Sequence, residues 1–144
     1  MYRKILVALD TTASDQELLP QIMQLASMLK SELLLLHVAD GWAARNFDQL
    51  NLAESEEMRE DWKYLEETAA RLRTDGGLTV STRLALGSPP AEILKVADEE
   101  QVDLIAMASH GHRLVGDIIH GSTIEVVRHK ARVTMIVVAP KTAA

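Results

Sequence analysis

The chain has 144 residues, of which 47% are hydrophobic and 25% charged, and its formal net charge is −6. This length and composition are typical of one globular domain with its own hydrophobic core. The absence of cysteine excludes disulfides and thiolate zinc sites, and an acidic chain without a basic stripe argues against nucleic-acid binding.

The negative charge is concentrated in one segment. Between Asp40 and Glu67, nine acidic residues stand against three basic ones, an excess equal to the net charge of the chain. This pattern predicts a solvated helix face, with a partner-docking surface as the alternative. From Asp103 to Arg132, four basic residues and four histidines accompany three acidic ones, which is compatible with a small phosphorylated ligand.

The sequence leads us to expect neither a secretion signal nor a membrane span. It begins Met1-Tyr2-Arg3-Lys4 and continues at once into a short apolar run, and no apolar stretch reaches the length of a span. We therefore expect a cytoplasmic protein.

In the first part of the chain, continuous apolar runs typical of strands alternate with apolar residues at helical spacing. The continuous apolar run at 5–9 predicts a strand buried on both faces, and a cap-rich turn at 10–15 follows it. Apolar residues at 18, 22, 25 and 29 then predict a helix, and the run at 33–38 predicts a second strand. His37 in this strand is expected to line the core or a crevice.

The second half of the chain continues the alternation. Residues 42 to about 53 are predicted to form a loop, followed by a long acidic helix that ends near Asp75-Gly76-Gly77. A strand over 79–86 leads to Gly87-Ser88-Pro89, which predicts a helix start because serine caps helices and proline is tolerated in the first turn. Strands at 104–108 and 133–138 follow, and the helix between them is predicted to begin near Ser122.

This order of elements predicts an α/β fold. Strands that alternate with helices through short loops form a mostly parallel sheet of five strands with helices on both faces, in a single domain over 1–144. In such sheets, ligands bind at the carboxyl ends of the strands, where the strand order reverses.

The segment after the fourth predicted strand has the features of an anion site. It reads Ser109-His110-Gly111, then nine residues, then Gly121-Ser122-Thr123. Glycine lets the main chain approach a ligand closely, and a helix N-terminus supplies N–H donors. If the first and fourth strands are neighbours, Asp10 faces this segment, where its carboxylate suits a ribose hydroxyl or a metal-bridged phosphate.

Two standard nucleotide signatures do not fit. Gly116 to Thr123 has the glycine spacing of a P-loop, but Ser122 stands where the lysine belongs. No G-x-G-x-x-G follows the first strand. The residues alone therefore predict anion binding without selecting a nucleotide.

Structural interpretations compete with the functional ones. Ser122 and Glu125 also form a capping box, and Asp10 could cap the turn at 11–14. His110 and His112 diverge in an extended loop without a suitably spaced carboxylate, so no metal site is expected. No catalytic set stands out, so we expect no dedicated enzyme, and at most slow hydrolysis of a bound nucleotide or self-phosphorylation.

Over essentially its whole length the chain resembles the universal stress protein family. The resemblance is carried by the first strand with Asp10, Leu36-His37-Val38, Gly87-Ser88-Pro89, Val102-Asp103-Leu104-Ile105 and the nucleotide motif G-x2-G-x9-G-[S/T]. Gly111, Gly121 and Ser122 fit that motif, whereas its first glycine is Ala108 here.

The resemblance implies strand order 3-2-1-4-5 and an ATP-binding regulatory protein of the stress response. Asp10 would hold the ribose, Val38 would meet adenine through its main chain, and Gly111, Gly121, Ser122 and Thr123 would bind the phosphates, with Mg²⁺ accompanying the nucleotide. The full implied ATP site is Ala8, Asp10, Val38, Met107, Ala108, His110, Gly111, Gly121, Ser122 and Thr123. The resemblance also implies a homodimer through the strand Val133 to Val138 and a protein partner. We expect bound nucleotide to order a predicted loop from His110 to His120 and so to change the surface shown to that partner. The alternatives are a nucleotide-free interaction protein of the same fold and, less favoured without a second substrate domain, a nucleotide domain like those of AMP-forming ligases or electron-transfer flavoproteins.

Overall fold

A computed structural model of the chain describes residues 1–40, 47–109 and 115–139. Five strands form one parallel sheet of order β3-β2-β1-β4-β5, namely β1 (Lys4–Leu9), β2 (Glu32–Asp40), β3 (Val80–Gly87), β4 (Leu104–Ala108) and β5 (Thr134–Val138). The helices in these ranges are α1 (Asp15–Leu29), α2 (Phe47–Gly76), α3 (Pro89–Glu99) and α4 (Val115–Lys130). The predicted fold class and the strand order are confirmed.

The sheet is buried on both faces, as the continuous apolar runs predicted. Successive side chains of a strand point to opposite faces, so Val7 of β1 belongs to one core and Leu6 to the other. The first core is shared with α1 and α2, and the second with α3 and α4. This three-layer arrangement fixes the carboxyl ends of the strands at one edge.

Helix α2 begins earlier than predicted. Residues 47–53 were expected to lie in a loop, but the helix starts at Phe47. Good helix formers such as Gln49, Leu50 and Ala53 extend an existing helix at little cost, since nucleation rather than propagation is the expensive step. A weak apolar period therefore did not mark a loop.

Helix α4 also begins earlier than predicted. It starts at Val115, so Gly121, Ser122 and Thr123 lie inside the helix and the predicted start at Ser122 is wrong. The capping-box interpretation of Ser122 is wrong for the same reason. The glycines had suggested a loop, yet a glycine within a helix costs only about 1 kcal/mol, which neighbouring helical residues can offset.

The start of α3 is as predicted. Ser88 has extended backbone geometry at the N-cap and Pro89 occupies the first turn, although the Ser88 side chain makes no capping hydrogen bond. Among the described residues, no helix combines the length and apolar character that a membrane crossing requires.

Candidate functional site

A cleft of about 340 Å³ opens at the carboxyl ends of β1, β2 and β4. The strand order reverses between β1 and β4, which is where ligands bind in open α/β sheets. Ala8, Pro89 and Ala108 are partly exposed and contribute apolar surface, whereas Asp10 and His37 contribute polar groups. The cleft therefore combines apolar walls with a few polar groups, as small-molecule sites do.

The cleft brings together residues that the sequence placed far apart. The predicted site residues that line it are Ala8, Asp10, Val38, Met107, Ala108 and Thr123. Gly121 and Ser122 precede Thr123 within α4. His110 and Gly111 lie outside the described residues.

Asp10 organises the turn that follows β1. Its Oδ1 accepts hydrogen bonds from the Thr12 main-chain N–H at 2.9 Å and the Thr12 hydroxyl at 2.6 Å. Its Oδ2 accepts a hydrogen bond from the Ser14 hydroxyl at 2.8 Å. Asp10 therefore caps the turn at 11–14, as its structural interpretation predicted. This capping is compatible with a ligand role, since a carboxylate has several acceptor sites and Asp10 also lines the cleft.

A second carboxylate, which the sequence did not identify, supports this turn. Asp15 is only 1% exposed, and its Oδ1 accepts the Asp10 main-chain N–H at 3.1 Å. Its Oδ2 accepts the Thr11 main-chain N–H at 3.0 Å and the Tyr64 hydroxyl at 2.6 Å. Acidic residues in the first turn of a helix are usually solvated, and no spacing rule connects Asp15 with Tyr64 across the fold.

Burial has the largest effect on the pKa of the Asp15 carboxylate. It raises the pKa of Asp15 to about 6, the Tyr64 hydrogen bond opposes the rise, and the charge of Asp10 adds to it. Burial and the bond to Asp15 also raise the pKa of Tyr64 above its ordinary value, so this phenol stays protonated near neutrality.

His37 lines the cleft, as expected for a crevice residue, and connects it with α2. Its Nδ1 lies 2.9 Å from the Leu9 carbonyl oxygen and its Nε2 lies 3.5 Å from Asp61 Oδ2. A carbonyl only accepts hydrogen bonds, so Nδ1 carries the hydrogen. Burial raises the pKa of Asp61, an effect that His37 partly offsets. Across the described ranges, no group of three or more potential ligand side chains converges on a metal site.

The main chain of β2 also faces the cleft. The Glu32 N–H donates to the Arg3 carbonyl next to β1, whereas the Leu33 N–H donates to the Thr79 carbonyl on the other side. Alternate residues of a parallel strand face the same neighbour, so Val38, like Glu32, is directed toward β1. The pairing of β1 with β2 ends at Leu9 and His37, whereas β2 remains paired with β3 as far as Asp40. The Val38 carbonyl therefore lies beyond the last β1 pair, at the edge of the cleft.

The sequence profile of the universal stress protein family matches residues 1–139. This chain belongs to the universal stress protein family. It is 29% identical to universal stress protein MJ0577 of Methanocaldococcus jannaschii, over 98% of this chain and 97% of that protein. It is also 30% identical to a putative universal stress protein of Staphylococcus haemolyticus, over 89% of this chain and 79% of that protein.

Solved structures of universal stress proteins have the same fold. The structure of MJ0577 superposes with a TM-score of 0.80 at 29% identity and covers 99% of each chain. A universal stress protein in complex with cAMP has a TM-score of 0.71 at 18% identity, over 96% of this chain and 97% of that one. The Archaeoglobus fulgidus protein in complex with dAMP has a TM-score of 0.71 at 21% identity, over 95% of this chain and 98% of that one.

Proposed function

We propose that this universal stress protein binds ATP in the cleft at the carboxyl ends of β1, β2 and β4. The observation that carries the proposal is that Asp10 after β1, Val38 of β2 and Thr123 of α4 line one cleft at the reversal of strand order. The cleft volume of about 340 Å³ lies within the range of small-molecule sites. The cAMP and dAMP complexes of proteins with this fold support an adenine nucleotide as the ligand.

The cleft offers a distinct group to each part of an adenine nucleotide. The partly exposed side chains of Ala8, Pro89 and Ala108 can contact the base, and the Val38 carbonyl can accept a hydrogen bond from its amino group. The Asp10 carboxylate can accept a hydrogen bond from a ribose hydroxyl. The 6-amino group of adenine matches an accepting main-chain oxygen, whereas guanine has a carbonyl oxygen at the same position of the ring.

We propose that the phosphates lie toward Gly121, Ser122 and Thr123, with His110 and Gly111 completing the site and Mg²⁺ accompanying the phosphates. The Thr123 side chain is buried and lines the cleft.

We further propose a regulatory role as a homodimer. Bound ATP would change the protein surface formed by the residues before Gly121 in the chain. A partner protein would respond to that change in the stress response. Strand β5 suits a dimer contact because it lies at the edge of the sheet and Val137 on it is 44% exposed.

A nucleotide-free interaction protein is the second candidate. It is favoured by the partners that Asp10 already has within its own turn and by Ala108 in the position of the family's first motif glycine. The two candidates differ in whether the Asp10 carboxylate contributes to nucleotide affinity.

The test compares Asp10→Asn with Asp75→Asn in nucleotide-stripped protein. Asparagine keeps an oxygen for the Thr12 N–H but removes the charge, whereas Asp75 is an exposed residue at the end of α2. We expect Asp10→Asn to weaken ATP binding about tenfold or more, because hydrogen bonds to charged groups are the strong ones, and Asp75→Asn to bind like wild type. Equal ATP affinity in all three folded proteins would contradict the assignment of Asp10. Absence of binding in wild type would favour the nucleotide-free candidate.

A further inference from the structure

We infer, on the basis of the proposed nucleotide site, that Asp15 and Tyr64 are its positioning residues. They fix the main chain at Asp10 and Thr11 so that the Asp10 carboxylate and the Val38 carbonyl both face the ligand. Neither Asp15 nor Tyr64 lines the cleft, so each acts through another residue.

The two carboxylates of the turn hold each other in place. Asp15 accepts the main-chain N–H groups of Asp10 and Thr11, while Asp10 accepts the N–H of Thr12 and the hydroxyl of Ser14. The main chain of Asp10 is therefore held by Asp15, and its side chain is held by the next residues of the turn. Loss of the Asp15 carboxylate releases the main chain from which the Asp10 side chain projects.

Thr11 has a backbone conformation that needs this support. Its φ is 62°, in the left-handed region that β-branched residues rarely adopt. Its N–H donates to Asp15 and its hydroxyl donates to the Asp10 carbonyl at 2.6 Å. Such conformations persist where surrounding contacts enforce them, and they cluster at binding sites.

Asp15 also ends the pairing between β1 and β2. In a continued parallel ladder, the Thr11 N–H would be the donor to the Val38 carbonyl. Asp15 accepts that N–H instead, at 3.0 Å. The Val38 carbonyl is thereby left for another donor at the cleft, and the same carboxylate sets both the proposed ribose contact and the proposed base contact.

Tyr64 connects this arrangement with α2. A carboxylate that is 1% exposed needs several donors, and the Tyr64 hydroxyl supplies the third at 2.6 Å. Tyr64 belongs to α2, the helix that carries most of the acidic segment. A hydrogen bond therefore joins α2 to the turn that presents Asp10.

The test is a double-mutant cycle on nucleotide affinity, with ATP, 2′-deoxy-ATP and 3′-deoxy-ATP as ligands. Asp15→Asn leaves one acceptor oxygen for donors that had two, and Tyr64→Phe removes only the hydroxyl. We expect Asp15→Asn to weaken ATP binding about tenfold and Tyr64→Phe about fivefold, with reduced discrimination against the deoxy analogue that lacks the bound hydroxyl. Tyr2→Phe and Asp75→Asn are the matched controls and should bind like wild type.

The cycle separates positioning from a general loss of structure. If Asp15 acts through Asp10, Asp15→Asn adds less than about twofold to the loss caused by Asp10→Asn. Fully multiplicative losses would overturn the inference, as would wild-type affinity in both Asp15→Asn and Tyr64→Phe.

Amide hydrogen exchange without nucleotide gives a second readout. We expect the amides of Asp10 and Thr11 to exchange faster in Asp15→Asn, while those in the centre of β2 stay protected. Unchanged exchange at both amides would show that Asp15 does not hold the turn and would overturn the inference. If wild type bound no nucleotide and the exchange still changed, the proposed function would fail and the positioning role with it, leaving a purely structural clamp.

Discussion

At the level of single residues, the neighbouring carboxylates Asp10 and Asp15 make stability depend on pH. The pKa of Asp15 is about 6 in the folded chain because of burial first and the Asp10 charge in addition, with Tyr64 opposing. The folded chain therefore binds the Asp15 proton more tightly than the unfolded chain does. The resulting stability is fully present below the ordinary pKa of 3.8 and is lost as the pH rises through about 6.

The first prediction follows from this sign. We expect the free energy of unfolding of wild type, relative to Asp15→Asn at the same pH, to fall by about 1–3 kcal/mol between about pH 4 and pH 7. Chemical denaturation at several pH values measures it, and the other titrating groups largely cancel because both proteins contain them. A difference that stays constant over this range would contradict the burial of an ionisable Asp15.

The second prediction concerns Ala108, which replaces the first glycine of the family motif. Ala108 is paired with Val138 in β4 and is not among the described residues with positive φ, so its methyl group causes no backbone strain. We expect Ala108→Gly to change ATP affinity by less than about threefold in calorimetric titrations and to destabilise the strand by about 0.5–1 kcal/mol. Tightening of about tenfold or more would show that the methyl group obstructs the ligand.

Asp10 could be predicted as a site candidate from the residues because it follows the first apolar run, at the carboxyl end of a strand. Val38 was expected only from the family resemblance. Asp15 and Tyr64 could not be predicted. Their contact depends on how α2 packs beside α1, and a buried acid at a helix start looks in the sequence like an ordinary solvated one.

At the level of elements, an ion-pair network joins β1, β3 and the C-terminal end of α3. Glu100 contacts Lys4 at 3.0 Å and Arg83 at 3.2 Å, and Arg83 also contacts Glu99 at 2.6 Å. The Lys4 hydrogen bond leads the effects that lower the pKa of Glu100. Lys4 begins β1, so the network lies away from the carboxyl end at which the cleft opens.

The third prediction separates this network from the site. We expect Glu100→Gln to lower the free energy of unfolding by about 0.5–1 kcal/mol and to leave ATP affinity unchanged. Glu67→Gln is the control, because the Lys63–Glu67 pair is 3.9 Å long and more than two-thirds exposed at both side chains, 74% and 69%. An equal loss of stability in both variants would contradict a special role for the network.

The order and type of the elements could be predicted because strands and helices bury their apolar residues with different periods. The residues at which α2 and α4 begin could not be predicted. Adding a turn at a helix end changes the free energy little, and Gly116 and Gly121 resemble loop residues in the sequence although α4 contains them.

At the level of the whole molecule, the edge of the sheet at β5 is the surface proposed for the homodimer. The fourth prediction is that Val137→Lys yields monomers in sedimentation experiments, because a lysine on an edge strand opposes pairing with a second copy. Met28→Lys on α1 replaces a side chain that is even more exposed, at 74%, and should leave the dimer intact. A dimeric Val137→Lys protein, or a monomeric wild type, would contradict the β5 contact.

The fifth prediction tests the central claim, which is that the cleft at the reversal of strand order binds ATP. The decisive measurement is a calorimetric titration of folded, nucleotide-stripped protein with ATP and Mg²⁺. We expect a saturable heat with one ATP bound per chain. No heat at millimolar ATP, with the fold confirmed in the same sample, would contradict the claim.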